Sequence, residues 1–571
     1  MRMSGARIVL ECLAEQGVDT VFGYPGGAIL NVYDELYRWQ GRIRHVLTAH
    51  EQAAAHAADG YARSTGRPGV VFATSGPGAT NIVTGLAAAH MDSSPVVAIT
   101  CNVASHLIGC DSFQEVSITG ITMPITKHNF LVREVEALAS TIRQAFAIAT
   151  TGRPGPVLVD IPKDLTLAEA EWAPPGERDG ASSILASRLR SPADQEIEEA
   201  AELLSRAERP LVIAGGGVIS SGASSELEEL ARLTLAPVAL TFMGHGGLPS
   251  RHPQCTGMIG MHGTRASNRA AGRADLVLAA GCRFSDRVLC DASKFASGAK
   301  VIHLDIDPAE IGKNLWCGLG LVGDLKPTLA RICARLRARG GGGAEGGGRA
   351  AWAAEVAAWK AEEAEAVSRI ARPAGAIAPR LVMEEIRARA GAEAIVTTEV
   401  GQHQMWTAQY YPFERPRSFI SSGGLGAMGF GTGAAIGAQA AHPGRRVVHI
   451  AGDGSFRMNC AELGTIAAYG LPIVIVVMNN GVLGMVRQWQ TMFYGSRHSE
   501  TSLDRPPDFV KLAEAFGVRG YRAPDAASLG AALDAAFGGE GPALVDLAID
   551  PDEQVLPIVP PGKAIAEQIV G

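Results

Sequence analysis

The chain contains a series of short apolar runs, most of them followed by glycine or a polar residue. Such runs are apolar on both faces, a pattern typical of strands buried in a parallel sheet. The stretches between them are long enough for helices, which favours doubly wound sheets. The runs fall into three groups, so we predict an α/β fold of three doubly wound parallel-sheet domains. The predicted strands are 70–75, 95–101 and 156–162, then 210–218, 236–242, 275–281 and 300–307, and finally 393–401, 446–455, 472–480 and 543–550.

Two segments of different composition separate the three groups. Residues 173–192 are rich in Pro, Gly and Ser, and residues 340–348 are nearly all glycine. We therefore predict domains at 1–172, 193–338 and 375–571, with a flexible glycine-rich linker and a connecting helix at 339–374. Within the first domain, Ser4 is predicted to cap a helix that ends at Gly17.

Bulk composition excludes several classes of protein. Charged residues make up 19% of the chain and the net charge is −7, without a long Lys/Arg cluster, so we expect no nucleic-acid partner. No apolar stretch approaches the roughly 18 residues of a membrane span. The nine cysteines form no C-x-x-C pair, which is typical of reduced thiols. We expect a cytoplasmic enzyme that binds neither membrane nor nucleic acid.

Two polar segments each follow a predicted strand of the third group. Asp453 comes directly after one strand and Asn480 directly after the next, and the two residues are 27 positions apart. If these strands are neighbours, both side chains reach the same sheet edge, where open parallel sheets bind ligands. An Asp carboxylate and an Asn carbonyl oxygen suit Mg²⁺ held by few protein groups and by phosphate oxygens. We predict a Mg²⁺–diphosphate site here.

The glycines around Asp453 favour a diphosphate over an ordinary polar turn. Gly452 and Gly454 allow the backbone to approach a ligand closely. A helix predicted to start near Ser455 and to run through Glu462 and Leu463 would direct its N–H groups at the phosphates. A Gly-Asp-Gly turn alone is common after strands, so the interpretation depends on the double Asn that follows the second strand.

This segment resembles the diphosphate-binding motif of the thiamine-diphosphate enzymes. The resemblance implies thiamine diphosphate as cofactor and makes 375–571 the domain that binds diphosphate and Mg²⁺. It also implies that the metal ligands are Asp453, Asn480 and the backbone carbonyl of Val482.

Glu51 lies in His50-Glu51-Gln52-Ala53-Ala54-Ala55-His56, which resembles the glutamate helix of the same enzymes. There, the glutamate hydrogen-bonds the aminopyrimidine ring and assists loss of the C2 proton. The alanine-rich setting predicts poor solvation and a raised carboxyl pKa. Judged by itself, Glu51 is equally well interpreted as a helix cap. The resemblance makes 1–172 the pyrimidine-binding domain and implies an active site between subunits of a homodimer or homotetramer.

The similarity to the acetolactate synthase family extends nearly end to end. It is carried by Phe22–Ala28, Gly109–Glu115, Thr126–Asn129, Gly260–Thr264, Gly281–Arg287 and Gly484–Gln490. It implies decarboxylation of pyruvate on thiamine diphosphate and transfer of the hydroxyethyl unit to a second pyruvate or to 2-oxobutanoate. That reaction is the first common step of valine, leucine and isoleucine biosynthesis. The resemblance further implies a non-redox FAD in the central domain and a separate small regulatory subunit.

The same resemblance assigns roles to individual positions. The residues expected at the reacting centre or substrate channel are Glu51, Gln114, Phe113, Lys163, Arg287, Met485, Val486 and Trp489. The residues expected to contact thiamine diphosphate are Tyr24, Gly27, Glu51, Pro77, Asn81, Gln114, Gly401, Gln402, His403, Gly426, Met428, Gly452, Asp453, Gly454, Ser455, Asn480, Val482 and Met485. The residues expected to contact FAD are Arg153, Gly215, Gly216, Gly217, Met261, His262, Gly263, Thr264, Gly281, Arg283, Asp305, Ile306 and Asp324.

Three alternatives remain at this point: a flavin-using pyruvate oxidase, a flavin-free catabolic acetolactate synthase, and a non-catalytic binding protein. Phe113-Gln114 and Met485–Trp489 argue against the oxidase, the central segments against the flavin-free enzyme, and the full set of cofactor groups against a binding protein. The chain departs from the family pattern at Cys101-Asn102, Cys110 and Ser285. These departures leave substrate preference and FAD affinity open.

Overall fold

The computed structural model describes residues 1–174, 190–340, 347–369, 373–505 and 507–570. Three six-stranded sheets, parallel throughout, follow one another along the chain, and the inner strands of each sheet are almost entirely buried. The predicted fold class is confirmed. Most of the predicted break at 173–192 and of the glycine-rich stretch 340–348 lies outside the described residues. The domain limits stay a prediction.

The first unit contains one parallel sheet and one small antiparallel pair. Its strands are β1 (Arg2–Ser4), β2 (Thr20–Gly23), β3 (Arg44–Leu47), β4 (Gly69–Ala73), β5 (Val96–Asn102), β6 (His128–Leu131), β7 (Val157–Pro162) and β8 (Glu169–Glu171). The parallel sheet has the order β3-β2-β4-β5-β7-β6. The antiparallel pairing of β1 with β8 was not predicted from the sequence.

The helices of the first unit lie between these strands. They are Gly5–Glu15, Leu30–Tyr37, Glu51–Thr65, Pro77–Asn81, Val83–Met91, Ile118–Thr122, Leu138–Thr150 and Lys163–Leu167. Ser4 caps the first of them, as predicted, because its hydroxyl accepts a hydrogen bond from the backbone N–H of Arg7.

The central unit has the sheet order β11-β10-β9-β12-β13-β14. These strands are β9 (Pro210–Ala214), β10 (Val238–Leu240), β11 (Cys255–Met258), β12 (Leu276–Ala280), β13 (Lys300–Asp305) and β14 (Leu319–Val322). Its helices are Asp194–Arg206, Gly216–Ser220, Ser224–Thr234, Arg265–Arg273, Asp286–Leu289 and Leu325–Ala338.

A 22-residue helix, Gly347–Ser368, occupies the region predicted as linker and connecting helix. It packs on the central unit: Trp352 Nε1 donates to the carbonyl of Pro210 at 3.0 Å, and Lys360 Nζ donates to that of Cys255 at 2.7 Å. Neither this helix nor any other in the described parts of the chain has the length and apolar character needed to cross a membrane.

The third unit has the sheet order β16-β15-β17-β18-β20-β19. These strands are β15 (Ile395–Thr398), β16 (Phe419–Ile420), β17 (Val447–Gly452), β18 (Val474–Asn479), β19 (Arg519–Ala523) and β20 (Ala543–Ala548). Its helices are Pro379–Ala390, Gln402–Tyr410, Phe430–Ala441, Asp453–Phe456, Leu463–Ala468, Gly484–Phe493, Phe509–Ala515 and Ala526–Gly538.

The single helix predicted from Ser455 through Leu463 was wrong. A four-residue helix starts at Asp453, a 3₁₀ turn follows at Cys460–Glu462, and a second helix begins at Leu463. The break has a local cause: Asn459 lies outside the helical region, with φ −132° and ψ 26°, and its side-chain amide donates to the carbonyl of Gly429. That contact ties the segment to the start of another helix, so the chain cannot continue straight.

The strand order locates one crevice in each sheet. When the strands of each sheet are numbered in chain order, the spatial order is 2-1-3-4-6-5 in the first and third sheets and 3-2-1-4-5-6 in the central sheet. The order therefore reverses between β2 and β4, between β9 and β12, and between β15 and β17. Open α/β sheets bind ligands beyond the carboxyl ends of strands at such reversals. The topology thus predicts three ligand crevices in the chain.

The first and third units pack through two helices rich in small residues, Glu51–Thr65 and Phe430–Ala441. A Cβ on Gly437 would lie 1.8 Å from the carbonyl oxygen of Ala57, and one on Gly60 would lie 2.2 Å from that of Ala434. Only glycine permits this backbone approach. The crossing fixes how the two outer units sit within one chain.

Candidate active site

A cleft opens at the reversal between β15 and β17, where the metal–diphosphate site was predicted. It is formed by the loops after β15, β17 and β18 and by the start of the helix Gly484–Phe493. The predicted site residues that line it are Gly401, Gln402, His403, Met428, Gly452, Asp453, Gly454, Ser455, Asn480, Val482, Met485 and Val486.

Asp453 and Asn480 follow adjacent strands, as expected. Strands β17 and β18 pair in parallel, and Asp453 and Asn480 are the residues directly after them. Asp453 is buried, and its Oδ2 has no hydrogen-bond partner among the described residues. Burial raises the pKa of Asp453 to about 6, and backbone N–H groups, including those of Asn480, Gly454 and Gly481, partly oppose that rise. A buried carboxylate oxygen without a donor is costly, so the geometry fits a divalent cation.

The loop after β18 is held in a defined position next to Asp453. Asn480 Nδ2 donates to Gln402 Oε1 at 3.1 Å, and Asn480 Oδ1 accepts from the backbone N–H of Val482 at 3.2 Å. The flanking residues are fixed as well, since Leu483 N–H donates to Thr501 O and Leu503 N–H donates to Gly481 O. A carbonyl oxygen has two lone pairs, so Asn480 Oδ1 retains one for a cation.

The glycines of this cleft leave room for neighbouring side chains as well as for a ligand. A Cβ on Gly452 would lie 2.7 Å from His403 Nδ1, and one on Gly454 would lie 2.7 Å from Leu483 Cδ2. Gly401 has a φ of +151°, which other residues rarely adopt. The imidazole of His403 is buried, and burial lowers its pKa to about 3, so it is neutral. Part of the glycine requirement is therefore internal packing.

The reversal between β2 and β4 brings a second group of predicted residues together. Glu51 begins its helix, and its Oε2 accepts from Asn81 Nδ2 at 2.9 Å. A Cβ on Gly78 would lie 3.3 Å from Glu51 Oε1, and one on Gly76 would lie 2.8 Å from Gln114 Cβ. Gln114 has a φ of +61°, so its segment turns sharply onto Gly76. We call this group of Glu51, Asn81 and Gln114 the glutamate half-site.

The glutamate half-site is open on one side. Glu51 is only half-buried in a single chain, so the desolvation expected for it is incomplete. Phe113 is 87% exposed and Tyr24 is 42% exposed. Pro77 and Lys163 are also exposed, and a Cβ on Gly27 would meet no atom within 4 Å. These residues surround an open surface.

The helix Gly484–Phe493 brings two of its three predicted pocket residues to the cleft. Met485 and Val486 line it, and Val486 is half-exposed. Trp489 lies one turn further along, and its ring packs edge-on against Phe493 at a centroid distance of 5.4 Å. The observed contact of Trp489 is thus with its own helix.

The reversal between β9 and β12 collects the predicted flavin residues around closely packed glycines. A Cβ on Gly215 would lie 2.0 Å from the carbonyl oxygen of Gly281, and one on Gly217 would lie 2.6 Å from Gly281 Cα. The order 3-2-1-4-5-6 is the dinucleotide-binding one. Gly216, at the start of the helix Gly216–Ser220, and Ile306, directly after β13, lie at the same sheet edge.

Two arginines converge on this crevice from different units. Arg153, from the first unit, donates to Asp307 Oδ2 at 3.2 Å and to Glu310 Oε1 at 2.7 Å. Burial, followed by the nearby guanidinium groups of Arg153 and Arg283, lowers the pKa of His90. Asp305 at the end of β13 is buried, and burial raises its pKa. Arg153 and Arg283 are therefore cationic groups near this crevice, and Arg153 is already paired with Asp307 and Glu310.

Other predicted flavin residues have structural contacts of their own. The C-terminal segment covers Met261 to Gly263: Val559 N–H donates to Met261 O at 2.8 Å, and Gln568 Nε2 donates to Gly263 O at 2.8 Å. The remaining ones are His262, buried with its pKa lowered to about 4, and Thr264 and Asp324, which cap helices. Arg287 is largely exposed and lies 3.7 Å from Met261 Sδ.

Sequence reasoning missed a buried polar network beneath the cleft. Glu399, directly after β15, accepts from the backbone N–H of Gly429 at 2.6 Å and from that of Thr432 at 3.1 Å. His449 of β17 lies 3.7 Å from Glu399, and its Nδ1 is 3.0 Å from Thr397 Oγ1. The signal was present as three consecutive polar residues, Thr397–Glu399, in an otherwise apolar strand end.

The glutamate half-site and the metal cleft do not meet within one chain. Among the described residues, all that line the cleft belong to the third unit. Next to the glutamate half-site, Glu462 of the third unit accepts from the backbone N–H groups of Ala49 and His50 at 3.0 and 3.1 Å. Each crevice thus offers part of a cofactor site.

Comparison with known proteins relates all three units to one family. Residues 3–121 match the N-terminal TPP binding domain of thiamine pyrophosphate enzymes, 197–332 the central domain, and 399–547 the C-terminal TPP binding domain. Acetolactate synthase isozyme 2 large subunit of Escherichia coli is 45% identical, covering 99% of both chains. Acetolactate synthase of Mycobacterium bovis is 47% identical, covering 99% of this chain and 91% of the relative. The acetolactate synthase large subunit of Corynebacterium glutamicum is 45% identical, covering 99% and 89%.

Proposed function

This chain belongs to the acetolactate synthase large-subunit family of thiamine pyrophosphate (thiamine diphosphate) enzymes, and from that premise we propose that it joins two 2-oxo acids with loss of carbon dioxide. The donor is pyruvate, and the acceptor is pyruvate or 2-oxobutanoate. The products feed valine, leucine and isoleucine biosynthesis. The family resemblance inferred from the sequence is confirmed.

The observation that carries the proposal is the unpartnered Oδ2 of Asp453 beside Asn480. Mg²⁺ would satisfy that oxygen, with Asn480 Oδ1 and the backbone carbonyl of Val482 as further ligands and diphosphate oxygens completing the shell. Gly452, Gly454 and Ser455 would border the diphosphate. The cation would also favour the ionised form of Asp453, opposing the effect of burial on its pKa.

Glu51 would act on the other end of the cofactor. Thiamine diphosphate, when bound, supplies the carbon nucleophile and the electron sink for decarboxylation. Glu51 would hold a proton at a ring nitrogen of the aminopyrimidine, and Asn81, already bonded to Glu51, would orient its carboxylate. Tyr24, Gly27 and Pro77 would border the ring.

The substrate pocket would lie between the two half-sites. Gln114 and Phe113 would face the donor side, and Met485, Val486 and Trp489 the acceptor side. Lys163 and Arg287 would attract the carboxylates of the 2-oxo acids, since both are cationic and exposed. Phe113 has no other evident reason for exposing most of its ring.

The active site would need two copies of the chain. Each chain carries both half-sites, but among the described residues all that line the metal cleft belong to the third unit, so a homodimer or homotetramer would complete each site at an interface. The large-subunit names of the relatives support a separate small regulatory subunit. All nine cysteines are free thiols, which suits the reducing cytoplasm.

FAD would occupy the crevice between β9 and β12 as a bound group without a redox step. The supports are the strand order, the glycine contact of Gly215 with Gly281, and the convergence of Arg153 and Arg283. The carboxylates of Asp307 and Glu310 now pair with Arg153 and would have to share it with a flavin phosphate.

The test is product identification from purified enzyme. Pyruvate with Mg²⁺ and thiamine diphosphate should yield 2-acetolactate, and added 2-oxobutanoate should yield 2-aceto-2-hydroxybutanoate. Oxygen consumption is measured in parallel. Acetyl phosphate or acetate formed with oxygen uptake, in place of 2-acetolactate, would contradict the proposal.

A further inference from the structure

The loop from Gly423 to Gly429, here called the rim loop, forms one edge of the metal cleft. Its Met428 lines the cleft beside Asp453, and Leu425 is 42% exposed. The loop contains glycine at 423, 424, 426 and 429, so its own backbone preferences do not fix its shape. Its position must come from contacts at its ends.

A buried carboxylate from the first unit holds the start of the rim loop. Asp92 Oδ2 accepts from the backbone N–H of Gly423 at 3.0 Å, and Oδ1 accepts from that of Gly424 at 2.7 Å. A Cβ on Gly424 would lie 2.8 Å from Asp92 Oδ1, so glycine is needed for this approach. The contact crosses from one unit to another within the chain.

Arg63 compensates the charge of the buried Asp92 and also bonds to the backbone near the start of the rim loop. It donates to Asp92 Oδ2 at 3.0 Å, to both oxygens of Asp59 at 2.7 Å, and to the carbonyl of Ser421 at 2.8 Å. The side chains of Asp59 and Asp92 are fully buried and that of Arg63 is nearly so. A buried charge is retained only with such partners.

A second buried carboxylate holds the end of the rim loop. Glu399 Oε2 accepts from the backbone N–H of Gly429 at 2.6 Å, and Oε1 accepts from the N–H and the hydroxyl of Thr432. Asn459 Nδ2 donates to the carbonyl of Gly429. Both backbone groups of Gly429, the residue after Met428, are therefore bonded.

We propose that Asp92 and Glu399 are positioning residues that clamp the two ends of the rim loop and so hold Met428 against the pyrimidine end of thiamine diphosphate. This inference rests on the proposed function, because it needs that cofactor in the cleft. Neither Asp92 nor Glu399 is among the residues that line the cleft. Their effect passes through backbone N–H groups of the rim loop, while Asp453 and Asn480 hold the diphosphate independently.

The clamp predicts two separable losses in Asp92→Ala. Hydrogen–deuterium exchange of apoprotein peptides spanning 421–430 should quicken at least fivefold, since the amides of Gly423 and Gly424 lose their acceptor. The Kd for thiamine diphosphate with Mg²⁺ should rise at least tenfold, whereas the Kd for Mg²⁺–pyrophosphate should stay within twofold. Pyrophosphate reports on Asp453 and Asn480 alone.

Asp275→Ala is the matched control. Asp275 also accepts from two consecutive backbone N–H groups, those of Glu208 and Arg209, at 2.8 and 3.0 Å, but far from the cleft at the start of β12. It should change neither the rim-loop exchange nor either Kd by more than twofold. Asp92→Asn keeps one acceptor oxygen, so it should change the rim-loop exchange and the Kd for thiamine diphosphate in the same direction but by less. This variant serves as the test if Asp92→Ala does not fold.

Three outcomes would overturn the clamp: unchanged rim-loop exchange in folded Asp92 variants, equal weakening of thiamine diphosphate and pyrophosphate, or the same changes in Asp275→Ala. Failure of the proposed function has a different signature. In that case the wild-type protein would bind Mg²⁺–pyrophosphate no more weakly than thiamine diphosphate, while the exchange measurement on the apoprotein would still report on the clamp.

Discussion

The first and third sheets have the same strand order, yet their crevices carry different groups of side chains. The third contains the buried Asp453 Oδ2, which finds no hydrogen-bond donor in the described parts of the chain. The first presents Glu51, already bonded to Asn81, at an open surface. Topology places both crevices at the same sheet position, and the residues at the strand ends decide what each can bind. Since neither crevice is complete, the comparison favours a site shared between chains.

The largest effect should come from the third-unit crevice. Asp453→Ala removes the charged ligand proposed for the cation, so we expect loss of activity by at least about 10³-fold together with loss of thiamine diphosphate binding. The apoprotein should be no less stable, because the burial that raises the pKa of Asp453 outweighs the hydrogen bonds that its carboxylate accepts from backbone N–H groups. Steady-state rates measure the activity, cofactor titration measures thiamine diphosphate binding, and thermal melting measures the stability of the apoprotein. A variant that still binds the cofactor tightly would contradict the cation site.

Glu51→Gln tests the first-unit crevice and should affect catalysis rather than binding. The amide keeps the hydrogen-bonding geometry but cannot hold the proton, so we expect kcat to fall by roughly 10²-fold with cofactor affinity within a few-fold of wild type. Together, Asp453→Ala and Glu51→Gln thus test whether residues of the third sheet bind the cofactor and residues of the first sheet activate it. An unchanged kcat would mean that Glu51 takes no part in the mechanism. Its role would then be limited to starting its helix.

Mixing the two inactive variants tests whether the crevices of different chains combine. If dimers exchange subunits at random, half are mixed, and each mixed dimer has one intact site of two, so about one quarter of wild-type activity should return. If both half-sites came from one chain, no intact site would form and activity would stay at the level of the parents. Activity after co-refolding, compared with each variant refolded alone, gives the answer.

The strand ends explain how much of this could be predicted from the sequence. Apolar runs located eleven of the eighteen strands of the three parallel sheets, among them the two that precede Asp453 and Asn480, because buried parallel strands have a local signature. The six edge strands and β2 were missed. The antiparallel pair of β1 and β8 joins residues about 170 positions apart, and no local pattern encodes it. The roles of Asp92 and Glu399 were missed for the same reason: their partners are backbone N–H groups of a distant loop. Side chains that bind ligands stand at strand ends, whereas those that position loops can come from anywhere in the chain.

Each of the two outer units also contains a buried acid, and the smallest predicted effects concern how these two acids respond to pH. Burial raises the pKa of Glu399 to about 7. Burial also raises the pKa of Asp160 in β7 to about 6, although hydrogen bonds from Thr100 and Asn102 partly oppose that rise. A carboxyl with a raised folded-state pKa stabilises the fold below its unfolded pKa, and this stability is lost as pH rises through the folded value. The loss should therefore extend from about pH 4.5 to 7 for Glu399 and from about pH 4 to 6 for Asp160.

Glu399→Gln should remove the larger part of this pH dependence, at most about 3 kcal/mol, since a raised pKa is worth about 1.4 kcal/mol per unit. Asp160→Asn should remove a smaller part at lower pH. Denaturant unfolding of the apoproteins from pH 4 to 8 measures both, with the wild type as reference. Because the amide of Gln cannot ionise, the unfolding free energy of Glu399→Gln should change less than that of the wild type between pH 4.5 and 7. Parallel pH profiles for wild type and Glu399→Gln would contradict this prediction. They would mean that the Glu399 carboxyl stays ionised in the folded protein, stabilised by the N–H groups of Gly429 and Thr432. The protonation of Glu399 would then not be coupled to the stability of the third unit.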